Sequence, residues 1–277
     1  MARRTTTRQA EVQRQFHAAA DSLEPRFKAN WNRAIREWTA DDRYTKAMRL
    51  FSKGETTAFE FINSINATID ALPLSIREGI SVMASRGANV QRELMGIDRI
   101  KQAEAWARHY AVLRTKDLTA SSKDAVRTFI VDAINDGVPV KTLASQIADV
   151  LALDQRFAKA AGNYRNGLKA LDAKPGRADA QTSQYITRAA RARAQTIART
   201  ETIAALAHGQ VNAIRSAMAS GLLAVGTELV WIAAPGCCDA CTNLNGEKQS
   251  ATAPLWGGLY DAPPAHPNCR CSIGVAE

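Results

Sequence analysis

Apolar residues recur at helical spacing from the start of the chain. Phe16, Ala20, Leu23, Phe27, Trp31, Ile35 and Trp38 follow one another in steps of three and four, which puts them on one helix face. Pro25 interrupts the pattern, and the expectation is a helix that restarts with Ser22 as N-cap, since a first turn loses no bond to proline. A stripe of large aromatics is core or helix packing, with a subunit interface as the alternative. Further helices are expected around Phe59, Ile62, Ile65 and Ile69, ended before Leu72-Pro73-Leu74; around Ile76 and Ile80; and around Ala103, Trp106, Tyr110 and Leu113. Residues 121–152 read as a helical hairpin. Ser121-Ser122 is its N-cap; Val126, Phe129, Ile130, Ala133 and Ile134 line one face; Gly137-Val138-Pro139 is the stop; Val140, Leu143, Ile147, Val150 and Leu151 line the second face. Residues 154–181 are alanine-rich and basic, with a break at Lys174-Pro175-Gly176. A long helix is then expected from about Ala180 to Met218, with Ile197, Ala204, Ala207, Val211, Ile214 and Met218 as its apolar face.

After Gly221 the periodicity changes. Residues 222–234, with Val225, Leu229, Val230, Trp231 and Ile232, carry the β-branched and aromatic enrichment of a strand. Asn245-Gly246 reads as a hairpin turn, Lys248-Gln249-Ser250 as the start of the return strand, residues 256–260 as loop, and Cys269 to Val275 as a last short strand. The expected fold class is mainly α, an extended helical body with a small C-terminal α+β module stapled by zinc. Three regions follow: a helical partner-interaction region over 1–120, a hairpin and long basic helix over 121–220, and a small β module with a Cys/His site over 221–277.

Charge separates these regions further. The net charge is +9, made of +6 over residues 1–120, +6 over 121–200 and −3 over 201–277. A module that is mildly acidic is a poor candidate for gripping phosphate, which needs Lys and Arg. Between Ala180 and Thr200 the chain has four arginines and no acidic residue. Arg188, Arg191 and Arg199 fall roughly opposite the apolar face, whereas Arg193 does not. That stripe is either a solvated face or the contact for DNA phosphate or an acidic protein surface. No apolar run approaches the eighteen or so residues that span a bilayer, and Met1-Ala2-Arg3-Arg4-Thr5 leads into polar sequence, so a soluble protein made in a reducing cytosol is expected.

The strongest chemical signal is at the C-terminal end. All five cysteines lie there, as Cys237-Cys238-Asp239-Ala240-Cys241 and Cys269-Arg270-Cys271, the latter preceded by His266. A C-x-x-C followed by H-x-x-C-x-C offers more than the four soft or borderline donors of a tetrahedral zinc site. Disulfides are the competing reading; in a reducing compartment a structural zinc is favoured. Any four of Cys238, Cys241, His266, Cys269 and Cys271 can serve, with His266 either a ligand or a hydrogen-bonding partner of one. His17 and His109 are expected to be packing or surface residues.

Four pieces together carry a resemblance: Ile197-Ala198-Arg199-Thr200-Glu201-Thr202, then Trp231, then the C-x-x-C with Leu244-Asn245-Gly246, then Pro263-Pro264-Ala265-His266-Pro267-Asn268-Cys269-Arg270-Cys271. In this order they resemble the phage Mu F-protein-like family of minor head (head morphogenesis) proteins, over residues 197–273 and back to about Ser121. The departure is Gly236-Cys237 before Cys238, where the family more often has a polar residue; it leaves the role of Cys237 open. The resemblance implies a virion protein in the capsid interior, present in the host cytoplasm during assembly. Its implied partners are the portal protein, the major capsid protein and DNA through backbone contacts, with no membrane. It implies no catalytic activity, and no catalytic constellation stands out. A zinc-dependent hydrolase or transferase, with Glu201 or Asp239 as base, is the alternative, beside a sequence-independent DNA-binding protein. Arg199, Glu201 and Trp231 are expected to join the long helix to the metal module.

Overall fold

The computed structural model describes residues 7–70, 74–96, 103–136, 138, 142, 146, 147, 149–171, 174–254 and 256–276. The chain is 73% helical, with eight helices and one three-stranded antiparallel sheet among the described residues. The helices are α1 (Thr7–Ala40), α2 (Asp42–Ser52), α3 (Ala58–Asp70), α4 (Leu74–Met95), α5 (Ala103–Asn135), α6 (Gln155–Ala170), α7 (Pro175–Ala219) and α8 (Asp239–Leu244). The strands are β1 (Glu228–Ile232), β2 (Lys248–Ser250) and β3 (Ser272–Val275), in the order β2-β1-β3. The chain divides into two compact units, one of Met1–Ala29, Arg77–Leu113 and Thr196–Glu277, the other of Asn30–Ile76 and Arg114–Gln195.

The expected restart at Ser22 does not occur: α1 runs through Pro25. Phe16, Ala20, Leu23, Phe27, Trp31, Ala34 and Trp38 are all buried and keep one register across the proline. Burying the large side chains among them, Phe16, Leu23, Phe27, Trp31 and Trp38, contributes roughly 1.5–3 kcal/mol each. Together they outweigh the cost of about 3 kcal/mol for proline inside a helix. The aromatic stripe is thus used within the chain.

The helical unit has a continuous apolar core. Tyr44 and Phe51 of α2, Phe61, Ile65 and Ile69 of α3, Val126, Phe129 and Ile130 of α5, and Ile186 of α7 are buried there with Ile147 and Leu151. Phe51 and Phe61 stack with ring centroids 4.2 Å apart. The face of α3 differs from the expected one, since Phe59 is 72% exposed and Phe61 takes its place in the core. Ser121-Ser122 is not a cap either: α5 passes through both, and Ser122 is buried. Leu113 is exposed while Ala107 and Ala111 are buried, so the inward side of α5 is alanine-lined there. The expected features at Leu72-Pro73, Gly137, Pro139, Val140 and Leu143, and at the side chains of Ala103, Trp106 and Ile134, lie outside the described residues.

The expected break is present, since α6 ends at Ala170, and Lys174-Pro175-Gly176 starts α7, earlier than the expected start near Ala180. The Lys174 carbonyl accepts from the amides of Arg177 and Ala178, and Pro175 occupies the first helical position, where its missing N–H costs nothing. Within the sheet-bearing unit α7 packs against α4 through glycine. A Cβ on Gly87 would lie 2.1 Å from the Leu206 carbonyl oxygen, and one on Gly209 would lie 2.2 Å from that of Ala84. The expected apolar face of the long helix, Ile197 to Met218, is buried throughout.

The strand at 222–234 is shorter than expected, Glu228–Ile232, because turns and bends follow the helix within residues 220–226. β1 pairs with β2 in the register Leu229 to Gln249, and with β3 in the register Trp231 to Ile273. Asn245-Gly246 does not make a two-residue hairpin, since α8 intervenes between β1 and β2. Gly246 adopts the left-handed conformation (φ 76°), and its amide donates to the Trp231 carbonyl at 2.8 Å. The Asn245 side-chain oxygen accepts from the Ala233 amide at 2.9 Å. Trp231 and Trp256 are both fully buried and meet edge to face, 5.6 Å between centroids.

Candidate metal centre

The sheet carries little apolar area, yet its two flanking loops bring sulfur together. Cys238 is the N-cap of α8 and Cys241 lies in its first turn, so the C-x-x-C spacing turns both side chains to one side. The second loop closes as a turn in which the Cys269 amide donates to the His266 carbonyl at 3.1 Å, with Asn268 in the left-handed region (φ 65°). Cys238 Sγ and Cys241 Sγ each lie 3.3 Å from His266 Nε2, and Cys241 Sγ lies 3.7 Å from Cys269 Sγ. Two donor triads result, Cys238, Cys241 and His266, and Cys241, Cys269 and Cys271; within each, all donor atoms are within 4.8 Å of one another. Cys237 stands apart, its Sγ 3.3 Å from Thr242 Oγ1.

Zinc bonds of about 2.3 Å to sulfur and about 2.0–2.1 Å to nitrogen place tetrahedral neighbours about 3.5–3.8 Å apart. The observed separations fall close to that range. The ring of His266 is set correctly for ligation: Nδ1 donates to the Pro267 carbonyl at 2.9 Å, which leaves Nε2 with a free lone pair facing the thiols. Five Cys/His donors in one region therefore fit a thiophilic divalent ion.

Proton affinities in the cluster are pulled apart by its own hydrogen bonds. The Cys271 thiol and amide, both directed at Cys269, bring the Cys269 thiol down to about 5 against the opposing effect of burial. Burial first, and then the neighbouring Cys269, push Cys241 up to about 12. Cys271 is also raised, chiefly because its thiol donates to Cys269. The Cys241 amide lowers Cys238, and donation to Pro267 raises His266. Negative charge thus gathers on Cys269, where a cation is drawn.

The cysteine loops are held from two further directions, α1, which the sequence pattern does not indicate, and α7. His17 of α1 hydrogen-bonds to the Arg270 carbonyl at 2.8 Å, and the Arg270 guanidinium pairs with Asp21 one turn along the same helix. Gln13 Nε2 donates to the Ala233 carbonyl at 2.8 Å, and Val12 packs with Val230 and Ile232. From α7, Thr200 Oγ1 accepts from the Asn268 amide at 3.1 Å, and Asn268 Nδ2 reaches Thr196 Oγ1 at 3.3 Å. The string Ile197 to Thr202 and the string His266 to Cys271 are therefore in direct contact, through Thr200.

The other expected site residues are placed as follows. Trp231 is the fully buried centre of β1. Arg199 pairs with the buried Glu24 of α1, Nε to Oε2 3.5 Å, and Glu201 is buried. Arg188 and Arg191 are exposed and belong to the helical unit, whereas Arg199 belongs to the sheet-bearing one. Arg193 turns inward, pairing with Asp154 at 2.8 Å and donating to Ser121 Oγ at 3.1 Å. Asp154 also caps α6 by accepting from the Phe157 amide at 3.0 Å. No carboxylate joins the metal-ligating cluster among the described residues.

Among the described residues no helix is long and apolar enough to cross a membrane. Neither curated proteins nor solved structures provide a match to the chain. The family model described as "Phage Mu protein F like protein" matches residues 124–274, more than half of the chain, and spans α7, the sheet and both cysteine loops. The chain thus belongs to the phage Mu F-like family and is a phage head morphogenesis protein.

Proposed function

We propose that the chain is a minor component of the phage head that associates with the portal during capsid assembly and lies near packaged DNA, and that its cysteine cluster holds a structural zinc. The family match over residues 124–274 carries this reading. The protein acts as a scaffold. Its helices present surfaces, and the ion locks the loops that α1 and α7 grip through His17, Asp21, Thr196 and Thr200. A thiolate-rich shell closes a zinc site instead of leaving a water position, so the metal is structural and not catalytic.

Of the expected acidic-partner set, Arg188 and Arg191 support the contact: they are exposed, stand three positions apart on α7 and make no ion pair among the described residues, whereas Arg199 pairs with Glu24. Contacts of this kind are recognised by salt: each neutralised phosphate contributes about −0.9 to the slope of log K against log salt. Binding of duplex DNA to the full chain is expected to weaken steeply with salt, and R188A together with R191A to flatten the slope by about 2. The deciding experiment for the reading as a whole is co-expression with the portal protein of the same phage. Co-purification with the portal ring is the expected result; a ring recovered repeatedly without the chain would defeat it.

A further inference from the structure

We propose that the metal is held by two ligand pairs, Cys238 with Cys241 and His266 with Cys269, and that Cys271 stays outside the coordination sphere. This rests on the zinc reading above and assigns its donors.

The pairs share a spacing. Each is two ligands separated by two residues, the first held by the opening i to i+4 bond of α8 and the second closed by an i to i+3 turn bond. In the first, the Thr242 amide donates to the Cys238 carbonyl at 2.9 Å; in the second, the Cys269 amide donates to the His266 carbonyl at 3.1 Å. A turn of this span aims its first and fourth side chains at one point. Left-handed Asn268 makes the second turn possible, and Thr196 and Thr200 fasten it to α7. The contacts across the pairs, 3.3 Å from each of Cys238 and Cys241 to His266 Nε2 and 3.7 Å from Cys241 to Cys269, are close to the spacing of neighbouring ligands on one ion.

Cys271 is placed differently. It has left the turn and leads directly into β3, whose pairing of Ser272 with Ile232 fixes the backbone there. Its amide points at Cys269 Sγ, 3.5 Å away. An N–H directed at a sulfur stabilises that sulfur as the charged ligand, so Cys271 serves Cys269 from behind. Cys269 and Cys271 each group with Cys241, and His266 touches both thiols of the first pair, so it is the turn shared with His266, and not proximity to Cys241, that separates Cys269 from Cys271. A site of four cysteines would leave His266 Nε2 facing two ligand sulfurs with no ion to bind.

The experiment is zinc content and Co(II) titration of the full-length chain and three variants. Wild type and Cys271→Ser are each expected to carry one zinc, the variant with affinity lowered by about a hundredfold at most, as for loss of a group behind a ligand. His266→Ala and Cys269→Ser are expected to bind more than about a hundredfold more weakly. Because a ligand variant can misfold, the Co(II) form of the wild type decides independently. Its thiolate-to-metal charge-transfer intensity should correspond to three sulfurs and be unchanged in Cys271→Ser. Zinc retained by His266→Ala but lost by Cys271→Ser, or an intensity for four sulfurs, would overturn the assignment while leaving the zinc reading intact. A wild-type chain free of zinc and silent to Co(II) would instead remove the zinc reading, and the assignment with it.

Discussion

The core of the helical unit and the three-stranded module near the C-terminus reach order by different means. The first buries Phe51, Phe61, Phe129, Ile65, Ile69 and Ile130 in one contiguous cluster drawn from several helices. At roughly 25 cal/mol per Å² of apolar surface removed from water, such a cluster stabilises itself. The module has strands of five, three and four residues and a buried centre dominated by Leu229, Trp231, Trp256 and Ile273. That is too little area for an independent sheet, which generally needs several strands and a broad apolar face. Hydrogen bonds to α1 and α7 offset part of the shortfall, and the proposed ion, held by the Cys/His donors, would supply the rest. One region therefore depends on side-chain volume, the other on a few directed bonds.

The largest break in that comparison comes from Cys241, the donor common to both triads. Structural zinc contributes on the order of 10 kcal/mol in small metal-bound domains. Cys241→Ser, or a strong chelator, should abolish hydrogen-exchange protection in Glu228–Ile232 and Ser272–Val275 while the amides of α3 and of residues 125–133 stay protected. Protection unchanged in the sheet would show that the cluster is dispensable. The mirror experiment is Phe129→Ala, which removes a fully buried ring stacked beneath the Arg165 guanidinium, 5.1 Å from the ring centroid. It should destabilise the helical unit by about 3–5 kcal/mol in denaturant titration, with zinc content unaltered. Equal loss of zinc would mean that the two regions do not stand on separate supports.

A smaller effect sharpens the picture within the sheet-bearing unit. Gly209→Ala places a methyl group 2.2 Å from the Ala84 carbonyl oxygen, and only a shift of backbone relieves it. The expected cost is about 1–3 kcal/mol, read as a lower denaturation midpoint at unchanged slope. The smallest effect is at Asp41, the N-cap of α2, which accepts from the Arg43 amide at 2.8 Å. Asp41→Ala should cost about 1 kcal/mol at neutral pH. Hydrogen bonds from Arg43, side chain first, lower the Asp41 carboxyl from 3.8 to about 2 in the folded protein. The contribution is then complete above pH 3.8 and lost as pH falls through about 2, so wild type and variant should converge in acid.

Much of this architecture was legible in the order of residues. Steps of three and four marked α1 and the buried face of α7, and the change of periodicity after Gly221 marked the sheet. The spacing of Cys238, Cys241, His266, Cys269 and Cys271 marked the metal cluster, since paired ligands two residues apart converge locally. Errors arose where a local rule met a distant opponent. Pro25 and Ser22 read as a restart, and Ser121-Ser122 as a cap, but burial of flanking apolar groups held α1 and α5 unbroken. Phe59 and Phe61 differ by two positions in an apolar stretch, and either fits a helical face until the neighbours are known.

By itself, then, the sequence determined most of the helical segments, which end carries the candidate metal donors, and the family to which the chain belongs. Only the tertiary structure decided that Arg193 is buried against Asp154 while Arg188 and Arg191 face outward, and that His17 and Asp21 grip Arg270 across 253 and 249 residues. The reason is range. Periodicity and ligand spacing are set by bonded geometry over a few residues, whereas these pairings exist only after helices and loops far apart in the chain have been brought together by the burial of their apolar faces.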